Sequence, residues 1–266
     1  MKKTCRLLFA AALLTLLLIP LCPQWAWAAQ YEGMFYTVTE GEVTITGYNG
    51  TPPSNLSIPK TIKGYPEDKN EIKSVVIPNS VTRIESRAFA DCRNLSSVTL
   101  GNGLTYIGTT AFGNCNSLTS ITLPDSVAEL DNAAFESCQS LRQIKLGNGL
   151  QKIGRSAFSY CKNLVSITIP DSVTVIQGHA FFSCDSLTSV TLGNGVSSIE
   201  AFVFNGCDNL VYRTHEQGKY LGTKTNPYYA LIKPQSNTLT AFTPHTDTKL
   251  LADNAFEEFQ NLTTLN

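Results

Sequence analysis

Apolar and polar positions along this chain fall into a frame that returns every 23 residues. An Ala-Phe pair stands at Ala88-Phe89, Ala111-Phe112, Ala134-Phe135, Ala157-Phe158 and Ala180-Phe181, and recurs as Val203-Phe204. A cysteine follows each pair at one offset (Cys92, Cys115, Cys138, Cys161, Cys184, Cys207), and a leucine follows each cysteine (Leu95, Leu118, Leu141, Leu164, Leu187, Leu210). A fixed period in the twenties marks a solenoid, whose units cannot bury their apolar faces alone and do so by stacking.

Each unit divides into three stretches. The first alternates, as in Ser97-Val98-Thr99-Leu100, and predicts a strand with Val98 and Leu100 turned inward. The second is a turn in two alternating forms. One is Pro-Asn/Asp-Ser, at Pro78-Asn79-Ser80, Pro124-Asp125-Ser126 and Pro170-Asp171-Ser172. The other is Gly-Asn-Gly, at Gly101-Asn102-Gly103, Gly147-Asn148-Gly149 and Gly193-Asn194-Gly195. Pro presets φ and Gly or Asn tolerates φ > 0, so both forms bend the chain, and their alternation makes a super-period of two units. The third stretch, Ala-Phe-x-x-Cys-x-x-Leu, spaces Phe112, Cys115 and Leu118 three apart. That spacing predicts one face of a short α or 3₁₀ turn. Stacked coils then place Phe on Phe and Leu on Leu, each full burial contributing about 1.5–3 kcal/mol, with adjacent strands about 4.8 Å apart.

The opening Leu95-x-x-Val98-x-Leu100 matches the first half of the leucine-rich repeat pattern. The second half departs, with Gly103 or Ser126 near the usual Asn position and the next apolar residue one place early. The form IPDSVTxIxxxAFxxCxxL resembles the BspA-like leucine-rich repeat family of bacterial surface proteins, over about residues 58–266. The resemblance implies a right-handed leucine-rich-repeat solenoid, β-rich with short helical turns. It also implies a secreted or surface-attached protein that binds host or matrix proteins, and it implies no enzyme.

Five segments are expected. Residues 1–28 read as a signal peptide, from basic Lys2, Lys3 and Arg6, an apolar run over residues 7–19, and the small-x-small Ala26-Trp27-Ala28, with cleavage after Ala28. That run is shorter than the roughly 20 residues a membrane span requires, and Pro20-Leu21 before Cys22 fits a lipobox poorly. Residues 29–70 form an N-terminal cap. Phe35-Tyr36-Thr37-Val38 and Glu42-Val43-Thr44-Ile45-Thr46 read as a β-hairpin, and Leu56-Ser57-Ile58-Pro59 echoes the repeat's strand and turn. Residues 71–210 are the array. Residues 211–247 are an irregular, aromatic variant repeat. Residues 248–266 begin a further, truncated repeat, with Phe259 at the cysteine position and no polar cap in view.

Charge and chemistry narrow the function. The net charge is −1 and only 15% of residues are charged, which disfavours nucleic acid or another polyanion as partner. The cysteines have no C-x₂-C spacing for a metal. A secreted context permits bridges between stacked cysteines, but their place in the Phe and Leu column reads better as small buried hydrophobes. His179, His215 and His245 are scattered, and His179 reads as solvated. Asp125 and Asp171 are turn residues making local bonds. No nucleophile elbow, HExxH or phosphate loop is present, and neither catalytic residue, metal nor cofactor is expected.

The outward face of the strands is the candidate binding surface. It carries Ser97, Ser120, Gln143, Ser166 and Ser189 in one column and Thr99, Thr122, Lys145, Thr168 and Thr191 in the other, with Ser74 and Val76 at the start. Thr suits strands and pairs across them, so sheet stability alone accounts for the ladder as well. Read functionally, it is an extended face for a protein partner, or for a periodic glycan surface. Tyr220, Tyr228 and Tyr229 are a second candidate, as Tyr is enriched at interfaces. The function expected is therefore non-catalytic binding, with adhesion implied by the resemblance. The alternatives are a targeting or spacer array for a larger secreted enzyme and a structural cell-wall component.

Overall fold

A computed structural model describes residues 72–266 apart from Ser80 and Glu258, together with four earlier strands by their backbone. Residues 1–26, which carry most of the expected signal segment, lie outside the described residues. The chain winds as a parallel solenoid, and each regular coil has three sides. The first side is the expected strand: β5 (Ser74–Val76), β7 (Ser97–Thr99), β9 (Ser120–Thr122), β11 (Gln143–Lys145), β13 (Ser166–Thr168) and β15 (Ser189–Thr191). Five of the six central residues, Val75, Ile121, Ile144, Ile167 and Val190, are buried, while Val98 is partly so. The alternation therefore points as predicted.

The second side is a ladder the sequence reading does not resolve. It consists of two-residue strands: β6 (Arg83–Ile84), β8 (Tyr106–Ile107), β10 (Glu129–Leu130), β12 (Lys152–Ile153), β14 (Val175–Ile176) and β16 (Ser198–Ile199). These pair in parallel without a break and continue back to β4 (Ser57–Ile58). Ser57 and Ile58 thus lie on the second side, not on the first, where their likeness to the repeat strand would put them. The first-side ladder is less continuous, since β7 and β9 belong to separate sheets.

The third side holds no helix among the described residues, contrary to expectation. Each third side from Arg87 to Gly206 instead has two residues at positive φ, one before the Ala-Phe or Val-Phe pair and one before the cysteine. Examples are Thr110 (55°) and Asn114 (60°), Ala133 (54°) and Ser137 (59°), and Ser156 (55°) and Tyr160 (60°). These left-handed residues divert every second amide out of the coil. Ala111 N–H donates within its coil to Gly108, whereas Thr110, Phe112 and Asn114 donate to Asn132, Ala134 and Glu136 of the next coil. A helix would turn all of these amides back on their own chain, so the bent segment acts as a third inter-coil ladder.

The phenylalanines stack as predicted from Phe89 through Phe204, with centroids 5.2–5.7 Å apart and planes within 12°. These separations exceed the coil rise, so the rings are offset, the arrangement their quadrupoles favour. The six cysteines are buried and free. Each thiol from Cys115 onward donates to the phenylalanine carbonyl of the coil before it, as Cys138 does to Phe112 at 3.1 Å and Cys207 to Phe181 at 3.0 Å.

The two turn forms interlock. Asp125 Oδ1 accepts from Asn148 N–H at 2.7 Å, and Asp171 Oδ1 from Asn194 N–H at 2.8 Å. Ser126 and Ser172 donate backwards to Leu104 and Leu150 carbonyls at 2.6 and 2.7 Å. The Gly-Asn-Gly glycines do not serve a positive φ, as their turn chemistry suggests, because Gly206 is the glycine with φ > 0 among the described residues. A Cβ on Gly147 or Gly149 would run into the Pro124 and Asp125 backbone of the preceding coil. Close approach selects glycine here.

At the N-terminal end, β1 (Trp27–Tyr31), β2 (Met34–Thr39) and β3 (Glu42–Tyr48) form an antiparallel meander, and β3 runs parallel to β5. The expected hairpin is therefore β2–β3, and it extends the first-side sheet. The cleavage point expected after Ala28 falls within β1. At the other end the regular frame stops at Leu210. Strands β17 (Arg213–His215), β18 (Gly218–Leu221) and β19 (Ala230–Pro234) form an antiparallel sheet, and β19 runs parallel to β21 (Leu250–Leu251). One face of that sheet, with Leu221, Ala230 and Ile232, joins the main core. The other, with Tyr220 and Leu231, builds a second core with Phe242, Tyr228 and Phe256. A last regular coil follows, its strand β20 (Ala241–Phe242) parallel to β22 (Thr264–Leu265).

Candidate interaction face

The alternation of the first-side strands leaves their flanking residues outward. Ser97, Thr99, Ser120, Thr122, Gln143, Lys145, Ser166, Thr168 and Ser189 are exposed and Thr191 is half-buried. Strand register sets them in rows. Gln143 lies beside Ser120 and Ser166, Lys145 beside Thr122, Ser166 beside Ser189, and Thr168 beside Thr191. Ser74 and Val76 stand beside Ser97 and Thr99 but are half-buried. A depression of about 490 Å³ lies over β11, β13 and β15. Its floor includes Gln143, Lys145, Ser166 and Thr168, and its border includes Asn148, Asp171 and, from the irregular coil, Lys224. Lys145 and Lys224 form no ion pair among the described residues, so two amines stand free beside rows of hydroxyls.

The tyrosines are placed differently. Tyr220 is fully buried, and its hydroxyl accepts from His245 N–H at 3.0 Å. It therefore offers no surface, which corrects its reading as a contact residue. Tyr229 is half-buried and donates to the Val196 carbonyl at 2.8 Å. Tyr228 lies edge-on to Tyr220 and stacked on His245 at 4.0 Å. All three help hold the irregular coil together.

The structure gathers groups that are far apart in sequence. His215 and His245 meet at 4.5 Å, ring on edge, and His245 Nδ1 accepts from Asp247 N–H at 3.0 Å. His179 is not solvated. It is half-buried at φ 61° between Phe182 and Phe202. On the second side, Tyr106 and Thr109 hydroxyls both donate to Asp131 Oδ2 at 2.8 Å, and the Arg83 guanidinium lies 3.8 Å over the Tyr106 ring. Burial, then the bond to Asp131, pushes the Tyr106 phenol up to about 12. Burial would raise the Asp131 carboxyl, but bonds from Asn132 N–H, Thr109 and Tyr106 hold it below its ordinary value. Among the cysteines, burial lifts the Cys161 thiol to about 12, so it stays protonated and unreactive at neutral pH. No group of three or more metal-ligating side chains occurs among the described residues.

Stacked 23-residue coils with a buried Phe, Cys and Leu column are the geometry against which known proteins compare. The BspA type leucine-rich repeat region matches residues 60–185 and 151–266, in six copies. The chain belongs to the BspA-type leucine-rich repeat family. It is similar to the crystal structure of a leucine-rich repeat protein from T. pallidum, at 34% identity and a TM-score of 0.50, over 69% of this chain and 79% of that one. It is also similar in fold to a leucine-rich repeat protein from Eubacterium ventriosum, at 22% identity and a TM-score of 0.56, over 88% of this chain and 60% of that one. No curated protein matches it. Among the described residues no helix is long and apolar enough to cross a membrane.

Proposed function

We propose that this BspA-type repeat protein is a non-catalytic binding module, secreted or held at the cell surface, that engages a protein partner across its first-side strands. The register-locked rows of exposed side chains carry the reading. Ser, Thr, Gln and Lys are presented on a flat lattice with two unpaired amines, Lys145 and Lys224, at its depression. Such a lattice supplies many hydrogen-bonding groups whose positions are set by backbone pairing, so little conformational entropy is lost on contact. Adhesion to host or matrix proteins is the finer form of the proposal, drawn from the family's character and from the basic, apolar and small-residue sequence of residues 1–28.

The test is the triple substitution Thr99→Glu, Thr122→Glu and Thr168→Glu, measured against immobilised extracellular-matrix proteins. All three side chains are exposed, so the fold is retained while three carboxylates cover the face. Loss of binding with an unchanged thermal midpoint is the expected result. Equal binding by wild type and variant would remove this face from the function.

A further inference from the structure

Every regular coil closes with a third side, but the coil over residues 211–240 does not. Its chain passes along β19 and turns back at residues 235–240 to reach β20. The third side of the coil before it (residues 200–207) therefore faces that of the last coil (residues 253–257 and 259). The two touch at one corner, where Asp253 N–H donates to the Ile199 carbonyl at 3.0 Å and Phe202 N–H to Asn254 Oδ1 at 3.3 Å. Beyond that corner they part around a cleft of about 510 Å³, lined by Phe202, Phe204, Tyr212, Ile232, Ala255 and Phe259. This lies within the size range of ligand clefts, about 300–1,000 Å³.

The walls of the cleft are two halves of an interrupted ladder. In the preceding coil, Phe181 N–H and Ser183 N–H donate to Val203 and Asn205 carbonyls. Among the described residues, the corresponding Phe204 N–H and Gly206 N–H have no acceptor, and on the opposite wall the Ala255 and Glu257 carbonyls have no donor. The ring stack ends here as well: Phe181 lies on Phe204, which is itself buried, and no further ring continues the stack among the described residues, while the rings partly open to the cleft are those of Phe202, Tyr212 and Phe259. Backbone donors on one wall and acceptors on the other are matched by another backbone, which carries both on alternate positions. The rim charges, Glu200 and Glu257 against Lys219 and Lys233, balance, so the occupant is a segment without net charge.

We propose that this cleft is a peptide-docking site. It takes one segment of a partner protein with a small residue followed by Phe, whose ring meets the half-buried Phe202, Tyr212 and Phe259 and whose backbone joins both walls as a third side does. Phe202 takes the left-handed conformation that the repeat uses at this position, and its ring lines the cleft in contact with His179. The site is separate from the first-side face and does not depend on it.

The probe is a fluorescent peptide with the sequence of residues 108–118, which carries Ala111-Phe112 and no charged residue, titrated into the full chain and followed by anisotropy. Saturable binding is expected, weakened about tenfold or more when the peptide's Phe112 is replaced by Asp. The same loss is expected when the protein carries Asn237→Trp, an exposed substitution on the cleft wall. Amide exchange gives a second readout. Phe204 and Gly206 amides should exchange faster than those of Phe181 and Ser183 in the free protein and slow on addition of the peptide. Absent saturable binding, or Phe204 and Gly206 amides already as protected as Phe181 and Ser183, overturns the proposal. Undiminished peptide binding by the Thr99, Thr122 and Thr168→Glu variant separates this site from the strand face.

Discussion

A methyl group at Gly147 would have nowhere to go, because the Pro124 carbonyl of the coil beneath already occupies its place. Single residues in this protein are chosen by what the neighbouring coil puts above or below them. The same holds at Asp131, whose carboxylate is held by hydroxyls from its neighbouring coil. Its folded pKa is depressed, so the stability it contributes is present above the unfolded value of about 3.9 and is lost as pH falls through the folded value. Tyr106 has the opposite sign. Its folded pKa is raised from 10.0 to about 12, so its contribution is full below about 10 and is lost as pH rises toward 12. Urea midpoints of wild type and Asp131→Asn should therefore differ most between about pH 5 and 9 and converge at both extremes. A pH-independent difference would show that the bonds to Tyr106 and Thr109 do not titrate with folding.

At the scale of the element, the third side departs furthest from what periodicity predicts. Spacings of three between Phe112, Cys115 and Leu118 fit a helical face, and they also fit a chain bent twice by left-handed residues. What separates the two readings is the residue before each alanine and each cysteine: Asp91, Asn114 and Gly206 are types that tolerate positive φ, but Thr110, Ala133 and Ser156 carry no mark of it. The left-handed conformation costs an L-residue roughly 1–2 kcal/mol, so Ala133→Gly should raise the thermal midpoint by the equivalent of about 0.5–1 kcal/mol. A lower midpoint would mean that entropy gained by the unfolded chain outweighs the relieved strain. The first-side strands were legible because alternation over Ser97-Val98-Thr99-Leu100 is a direct consequence of the pleat. The second-side strands were not, because two residues such as Leu130 and its neighbour Glu129 are too few to display a period.

Over the whole molecule, the stacking order and the buried Phe, Cys and Leu column were readable, as were the exposed rows from Ser97 to Ser189. The cleft beside Phe204, the His215–His245 contact and the burial of Tyr220 were not, since each joins segments tens of residues apart through the one coil that breaks the period. The missing Ala-Phe-x-x-Cys-x-x-Leu between Leu210 and Ala255 was the available sign of a missing wall. The interlocked turns carry a last consequence, which concerns how such an array can change length. A Pro-Asp-Ser coil fits above a Gly-Asn-Gly coil, and the reverse contact holds only because the glycines yield space. The smallest removable piece is thus a pair, and the array obeys a parity rule. Excising residues 97–119 would set Pro124 over Pro78 and should give an insoluble or strongly destabilised chain. Excising residues 97–142 sets Gly147 over Pro78, restores the fit, and should leave a shorter protein that unfolds cooperatively in a circular dichroism melt. Recombination between genes of this kind, on the same grounds, would preserve even steps and discard odd ones.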